Sequence, residues 1–417
     1  MRFADFVAEL RDRYGEEALG ARHEIFFTCA RPSPLWPAVR AALAALRDAF
    51  LCLGLEARAS VSSPVVVIAS RGGSSGLDAL QPFMDDLDRR GIDYRKMVHP
   101  RLRAAVAGAS GPLRPAPRAW LHACQAFWIS FARPDQRAFA VRCCLFRLRL
   151  WQGAWSRALS GRSGGVLVLH NDFELFCVAA LTAGMGRWRG VCIQHGLPTD
   201  EFFPTRAPRQ VVWGDRSRAA YVSQGTSPEA IRFGPFPSPA MRSGATMSAA
   251  VALVSQTHTP VFGRSLARDF LELAERLADR MSGHGHFAIL LHPEEVKLGH
   301  PFAKTRLAGL CRLPPHREFG ADTGPSSILV GFCSTALIKG AQQGHLVIGM
   351  NWPVTASHAS LLVGRPAVVA DNPDQLCDLI ERLLADPAER ASLMKTQQAW
   401  LDRTFADGDD WLPEVTA

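Results

Sequence analysis

The chain has 417 residues, 47% of them hydrophobic, and a formal net charge of +8. That length suits two domains with sizeable cores, and the composition excludes a disordered or fibrous chain. No uncharged apolar run is long enough to span a membrane, and there is no internal repeat or low-complexity tract.

Ten cysteines are scattered along the chain without a C-x-x-C pair, several inside apolar runs. This usage reads as a reducing compartment, with neither a disulfide framework nor a structural zinc. The opening MRFADFVAELRDRYGEE reads as a charged helix rather than a signal peptide. Between Arg114 and Arg162 stand nine arginines, no lysine and one acid, Asp135, an excess equal to that of the whole chain.

Residues 1–60 are helical in pattern, over Phe3–Tyr14 and again over Leu35–Gly54. Val65–Ala69 is an apolar β-branched run and the first expected strand. It ends in the glycine-rich turn Ser70–Gly76, before a helix Leu77–Arg90 and a weaker strand Ile92–His99. The turn fits neither the P-loop nor the dinucleotide pattern. It reads either as a tight turn or as a place where Arg71, Gly72 and Gly73 meet a substrate through backbone N–H groups.

Residues 101–162 carry a long helical pattern in which Trp120, Phe127, Trp128, Trp151 and Trp155 are interleaved with Arg137, Arg142, Arg147 and Arg149. Basic helices with Trp and Phe lie in membrane interfaces, and the same pattern suits helices whose aromatics face a core. The leading expectation is attachment to an anionic membrane surface through 114–162. Nucleic-acid binding is the weaker alternative, because only charge speaks for it.

Val166–His170 is the next expected strand, followed by Asn171, Asp172, Phe173 and Glu174. Gly190–Ile193 ends in Gln194-His195-Gly196, and Gln210–Trp213 ends in Gly214-Asp215. The Pro/Ser/Ala-rich stretch 235–250 reads as a domain linker. A second unit follows. Val251–Val254 precedes a helix Ser265–Met281. Phe287–Leu291 stops at His292-Pro293, and Ile328–Phe332 stops at Cys333-Ser334-Thr335. A small-residue helix Ala336–Gln343, a strand Leu346–Gly349 and two amphipathic tail helices complete the chain.

Short apolar runs alternating with helices indicate parallel sheets buried on both faces. The expected class is α/β, two doubly wound Rossmann-like domains facing a cleft. The expected spans are 1–237 and 250–385, with a helical tail over 386–417. Ligands of such sheets bind at the carboxyl ends of the strands, where the chemically active residues recur. Ser334 and Thr335 open a helix and suit both an N-cap and a phosphate ligand. Protonated His292 suits a departing phosphate. Asp172, Glu174 and His195 are the candidate catalytic groups. Glu174 is preferred, since Asp172 also reads as a helix-start acid. The two D-x-D patterns, at Asp86–Asp88 and Asp407–Asp409, fall in a helix and in the tail, so no metal site is predicted.

The run from Val191 to Pro237, with its Q-H-G, a tip loop and a strand ending in W-G, resembles bacterial surface-polysaccharide glycosyltransferases. His292-Pro293 with Ser334-Thr335 resembles the HP and Ser/Thr motifs of bacterial sialyltransferases and Kdo transferases. The resemblance implies the GT-B fold and a CMP-activated acidic sugar such as Kdo as donor, with no further cofactor. It implies a glycan or lipid-linked saccharide acceptor in capsule or lipopolysaccharide synthesis, at the cytoplasmic face of a membrane and without nucleic acid. His292, Pro293, Ser334 and Thr335 would then contact the nucleotide phosphate, and Gln194, Gly196, Arg71, Gly72 and Gly73 the substrates. The acidic signature of sialyltransferases is absent, so sialic acid is not the expected sugar. A CDP-polyol or UDP-sugar donor, a sugar-nucleotide epimerase, and a basic nucleic-acid-binding protein are the alternatives.

Overall fold

The computed structural model describes residues 3–29, 35–56, 61–72, 76–129, 136–236, 249–256, 265–282, 286–313, 327–332, 334–352, 364–405 and 411. Gly73, Cys333, the D-x-D pattern of the tail and residues 237–248 of the expected linker lie outside them.

The chain opens with α1 (Phe3–Tyr14), α2 (Arg22–Cys29) and α3 (Leu35–Leu53), then enters the first sheet. Strands β1 (Val65–Ala69) and β2 (Tyr94–Val98) are joined through α4 (Gln81–Arg89). After α5 (Pro117–Ile129) and the long α6 (Gln136–Leu159) come β3 (Gly165–Leu169), α7 (Leu175–Gly184) and β4 (Trp188–Ile193). Then follow β5 (Arg209–Val212), α8 (Asp215–Ser223) and β6 (Ile231–Phe233). The spatial order is β2-β1-β3-β4-β5-β6, and every pairing is parallel.

Alternation along a strand divides this domain into two cores. Val66 and Ile68 face α6 and α7, while Val65, Val67 and Ala69 face α4. Both faces are covered, so all five residues of β1 are apolar and buried.

The second sheet contains β7 (Ala249–Val254), β8 (His286–Leu290), β9 (Cys311–Arg312), β10 (Ile328–Gly331), β11 (Leu346–Met350) and β12 (Val368–Ala370). Its helices are α9 (Ala267–Met281), α10 (Pro293–Leu298), α11 (Thr335–Gln342), α12 (Pro373–Ala385) and α13 (Pro387–Thr404). Its order is β12-β11-β10-β7-β8-β9, again all parallel. Trp213, Tyr221 and Phe236 of the first domain share an apolar cluster with Leu290, Leu329 and Trp400 of the second part of the chain. Trp411 returns to the first domain and packs on Phe83 at 3.8 Å between ring centroids.

The α6 part of the basic aromatic segment packs as core instead of forming the membrane face expected of it. Within α6, Trp151 and Trp155 are fully buried, and Arg142 and Arg147 are only 3% and 9% exposed. Arg147 Nε donates to Asp48 at 2.8 Å, and Trp151 Nε1 donates to the same carboxylate at 3.0 Å. Arg137 pairs with Glu9 at 2.7 Å and Arg149 with Glu17 at 2.6 Å. These acids stand about a hundred residues upstream, so these three arginines are neutralised only after folding. The helix is core, not a membrane face.

Candidate functional site

β1 and β3 are neighbours, which places Ser70 beside His170 on one rim. His170 Nε2 accepts the backbone N–H of Ser70 at 3.1 Å. Ser70 Oγ donates to Glu174, and Arg71 closes an ion pair with the other oxygen of that carboxylate. Asn171 Oδ1 accepts the Glu174 N–H at 3.0 Å, so the turn into α7 is fixed and presents Glu174 to the rim. Burial pushes the Glu174 carboxyl up, but Arg71, His23 and the Ser70 hydroxyl outweigh it and hold it below the usual carboxylate value. Glu174 is therefore an anion held in place, and a weak base.

Asp172 has a different task. Its Oδ2 accepts the N–H groups of Arg206 and Ala207 at 2.5 and 2.8 Å, and the Gln210 amide at 2.9 Å. Three donors on one buried oxygen make it the fastener of the loop that leads into β5. Gln194 is also used internally. Its Oε1 accepts the Trp213 N–H at 3.2 Å and its Nε2 donates to the Gly196 carbonyl at 3.0 Å, which shapes the end of β4.

His195 stacks on Phe202 at 5.1 Å and lies 5.4 Å from the His170 ring. Burial, with His170 and Arg71 nearby, pushes its imidazole down to about 3, so it is neutral at physiological pH. Its Nδ1 has no hydrogen-bond partner among the described residues.

Two residues on this rim escaped the sequence reading. His23, on α2, places Nε2 3.6 Å from Glu201 Oε2, in the loop after β4. Burial pushes the Glu201 carboxyl up to about 7, against the pull of Arg71. The same effect pushes the His23 imidazole down to about 3. A carboxyl that titrates near neutrality beside a neutral imidazole is suited to proton transfer. Its signal in the sequence is an acid within an aromatic tip loop, T-D-E-F-F, and the partner is some 180 residues away.

In the glycine-rich turn, the Leu77 N–H donates to the Arg71 carbonyl at 3.1 Å. A Cβ on Gly76 would stand 2.0 Å from that same oxygen, so the turn closes only on glycine. Gly72 packs toward Leu102, where a Cβ would stand at 3.6 Å.

The second rim carries the other predicted residues. His292 caps α10, with Pro293 in its first turn, and Nδ1 accepts the Glu294 N–H at 3.2 Å. The His292 N–H donates to Glu295 at 2.8 Å, and Ser255 Oγ donates to Glu295 at 2.9 Å. The cap uses Nδ1 as an acceptor, which leaves Nε2 as the ring's donor. Ser334 caps α11, its Oγ accepting the Ala336 N–H at 3.2 Å, and Thr335 begins the helix. Gln256, at the end of β7 between β8 and β10, is 4% exposed, and neither atom of its amide has a partner among the described residues.

The rims meet. A Cβ on Gly196 would stand 3.8 Å from Thr335 Oγ1. Glu294 of the second domain raises the affinity of Arg71 for its proton, and Asp78 of the first does the same for Lys339 on α11. Each rim thus lies within electrostatic reach of the other.

No family model and no curated protein matches the chain. Solved structures do. The glycotransferase of kitacinnamycin is 14% identical over 85% of this chain and 99% of its own, with a TM-score of 0.49. A putative UDP-N-acetylglucosamine 2-epimerase from Listeria monocytogenes is 10% identical over 82% and 92%, also at 0.49. The S. aureus MnaA structure with UDP is 8% identical over 84% of this chain and 93% of its own, at 0.50. At that identity the likeness is one of fold. The two parallel six-stranded sheets with flanking helices form the two-domain α/β architecture called GT-B.

Proposed function

We propose that the chain is a glycosyltransferase that moves a sugar from a nucleotide-activated donor to a saccharide acceptor. The observation that carries this is the meeting of two strand-end rims at Gly196 and Thr335. One rim is rich in phosphate-type donors and the other in titrating groups.

On the second rim, the donor phosphate sits at the start of α11. The helix dipole, the Ser334 and Thr335 hydroxyls and the His292 Nε2–H stabilise the charge that grows on the leaving nucleotide. The buried amide of Gln256, without a partner among the described residues, completes this side as a further hydrogen-bonding group for the nucleotide. On the first rim, Glu201 takes the proton of the acceptor hydroxyl as that oxygen attacks the anomeric carbon. The bond from that carbon to the phosphate oxygen breaks, and the nucleotide leaves with the electron pair. Glu174 stays ionised and fixes Arg71, and His195, whose buried Nδ1 has no partner among the described residues, orients the acceptor.

The donor we favour is a CMP-activated acidic sugar such as Kdo, in the synthesis of a capsule or lipopolysaccharide glycan. The support is the H-P and S-T pair at two adjacent strand ends. A UDP-sugar is the second reading, because MnaA, of the same fold, was solved with UDP. Thermal shifts with CMP, CDP, UMP and UDP separate the two. Stabilisation by the cytidine nucleotides supports the first reading, stabilisation by UDP alone the second, and no shift with any of them removes the nucleotide site.

A further inference from the structure

Helix α3 turns an apolar face outward. Its exposed side chains are Val39, Leu43, Leu46, Phe50 and Leu53, with Leu43 at 58% and Phe50 at 72%. Their spacing, alternately four and three residues, draws one stripe about 21 Å long at the α-helical rise. The opposite face, with Ala41, Asp48 and Cys52, is buried toward α6. Beside the stripe α5 exposes Leu121 and Trp128, and its Phe127 shares a small cluster with Ala41 and Ala45 of α3. Single exposed apolar residues are ordinary, but five in register along one helix mark a binding surface.

The charges around the stripe are of one sign. Arg40 and Arg47 belong to α3, Arg118 is exposed on α5, and Arg101 is exposed within electrostatic reach of Arg47. The acid of α3, Asp48, is buried under Arg147 and Trp151 and also pairs with Arg47 at 2.8 Å, and α5 contains none, so the uncompensated charge is that of Arg101 and Arg118. Glu56, just beyond α3, is taken by Arg103.

We propose that this face docks on an anionic lipid surface, with the stripe in the headgroup–acyl boundary and the arginines over the headgroups. A second copy of the chain fits less well, since two such faces would set exposed arginines, Arg101 and Arg118, against their own copies with no exposed carboxylate on α3 or α5 to pair them. Position adds a consequence. The His99 N–H donates to the Ala69 carbonyl at 2.9 Å, so Arg101 stands beside the strand end that continues into Ser70 and Arg71. The docked chain holds its first rim near the lipid, where a lipid-linked acceptor would arrive. That last step rests on the glycosyltransferase reading, whereas the docking does not.

Flotation of the full chain with phosphatidylcholine vesicles and with mixed phosphatidylcholine–phosphatidylglycerol vesicles, without nucleotide, tests the proposal. The chain should float with the anionic vesicles at low salt and much less with the neutral ones. Leu46→Glu with Phe50→Glu should lower that partitioning about tenfold or more, with an unchanged circular dichroism melt and unchanged nucleotide binding. Arg101→Glu with Arg118→Glu should weaken binding to the anionic vesicles and flatten its salt dependence. Absence of wild-type flotation at low salt overturns the proposal, as does flotation of the Leu46/Phe50 variant at the wild-type level. A dimer in solution that Phe50→Glu makes monomeric, with no vesicle binding, assigns the face to a second copy instead.

Discussion

Gly196 at the end of β4 and Thr335 at the start of α11 face each other across the two rims, with room for one methyl group between them: a Cβ would lie 3.8 Å from Thr335 Oγ1. Gly196→Ala should therefore fold and retain activity within a few-fold. Gly196→Val should fold equally well but lower kcat/KM about tenfold or more, because the added methyls fill the space where the reacting groups meet. Equal activity of the two variants would place the reacting groups away from this contact.

Glu201 should govern the pH dependence of transfer. Its carboxyl is pushed up to about 7 by burial, so the base form accumulates as pH rises through that value. Transfer should climb through about pH 7 and then level. Glu201→Gln should cost about 10²-fold or more, typical of a lost general base, and flatten that limb. Glu174→Gln should also lower transfer, by releasing Arg71, but it should leave the rise near pH 7 in place. A rise that survives in Glu201→Gln assigns the proton transfer to another group.

Glu24 makes a prediction about stability. Its Oε1 accepts the Leu175 N–H at 2.8 Å, its Oε2 is buried without a partner among the described residues, and burial pushes the carboxyl up to about 7. Between its ordinary value of 4.5 and 7 the folded chain holds a proton that the unfolded chain has lost. Stability therefore falls as pH rises across that window, and the buried charge costs most above it. Glu24→Gln keeps the contact to Leu175 and should stabilise by about 1–3 kcal/mol above pH 7, with little effect below the ordinary value. Thermal melts at the two ends of the range check this, and an equal gain at both ends would contradict it.

Gln256 separates folding from binding. A buried amide without partners is a cost to the empty protein. Gln256→Leu should leave the melting temperature unchanged or raised, while weakening nucleotide binding about tenfold, the order of one lost hydrogen bond. A melting temperature that drops with binding intact would make Gln256 a structural residue.

What the sequence made legible was local. β1, β3, β8 and β10 were visible as apolar runs, and Ser334 announced α11 because an N-cap needs only its own helix. His292 was read as a strand-end phosphate ligand, and that it also caps α10 through the Glu294 N–H needed coordinates. Glu201 and His23 were not legible, because one lies in an irregular loop and the other on an N-terminal helix, and only packing joins them. Asp172 and Glu174 were near-equivalent in sequence; the loop 206–210 that occupies Asp172 distinguishes them. The arginines of α6 suggested a membrane surface because their partners Glu9, Glu17 and Asp48 lie far upstream. The exposed stripe of α3, by contrast, follows a helical period that any core-facing helix also shows.

The central claim is that donor and acceptor chemistry stand on opposite rims of one cleft. Calorimetric titration of CMP into wild type, His292→Ala and Glu201→Gln tests it most directly. The account predicts that wild type and Glu201→Gln bind equally, with Glu201→Gln inactive in transfer, and that His292→Ala binds about tenfold more weakly or worse. Equal binding by all three variants, or weakening by Glu201→Gln rather than His292→Ala, would contradict it.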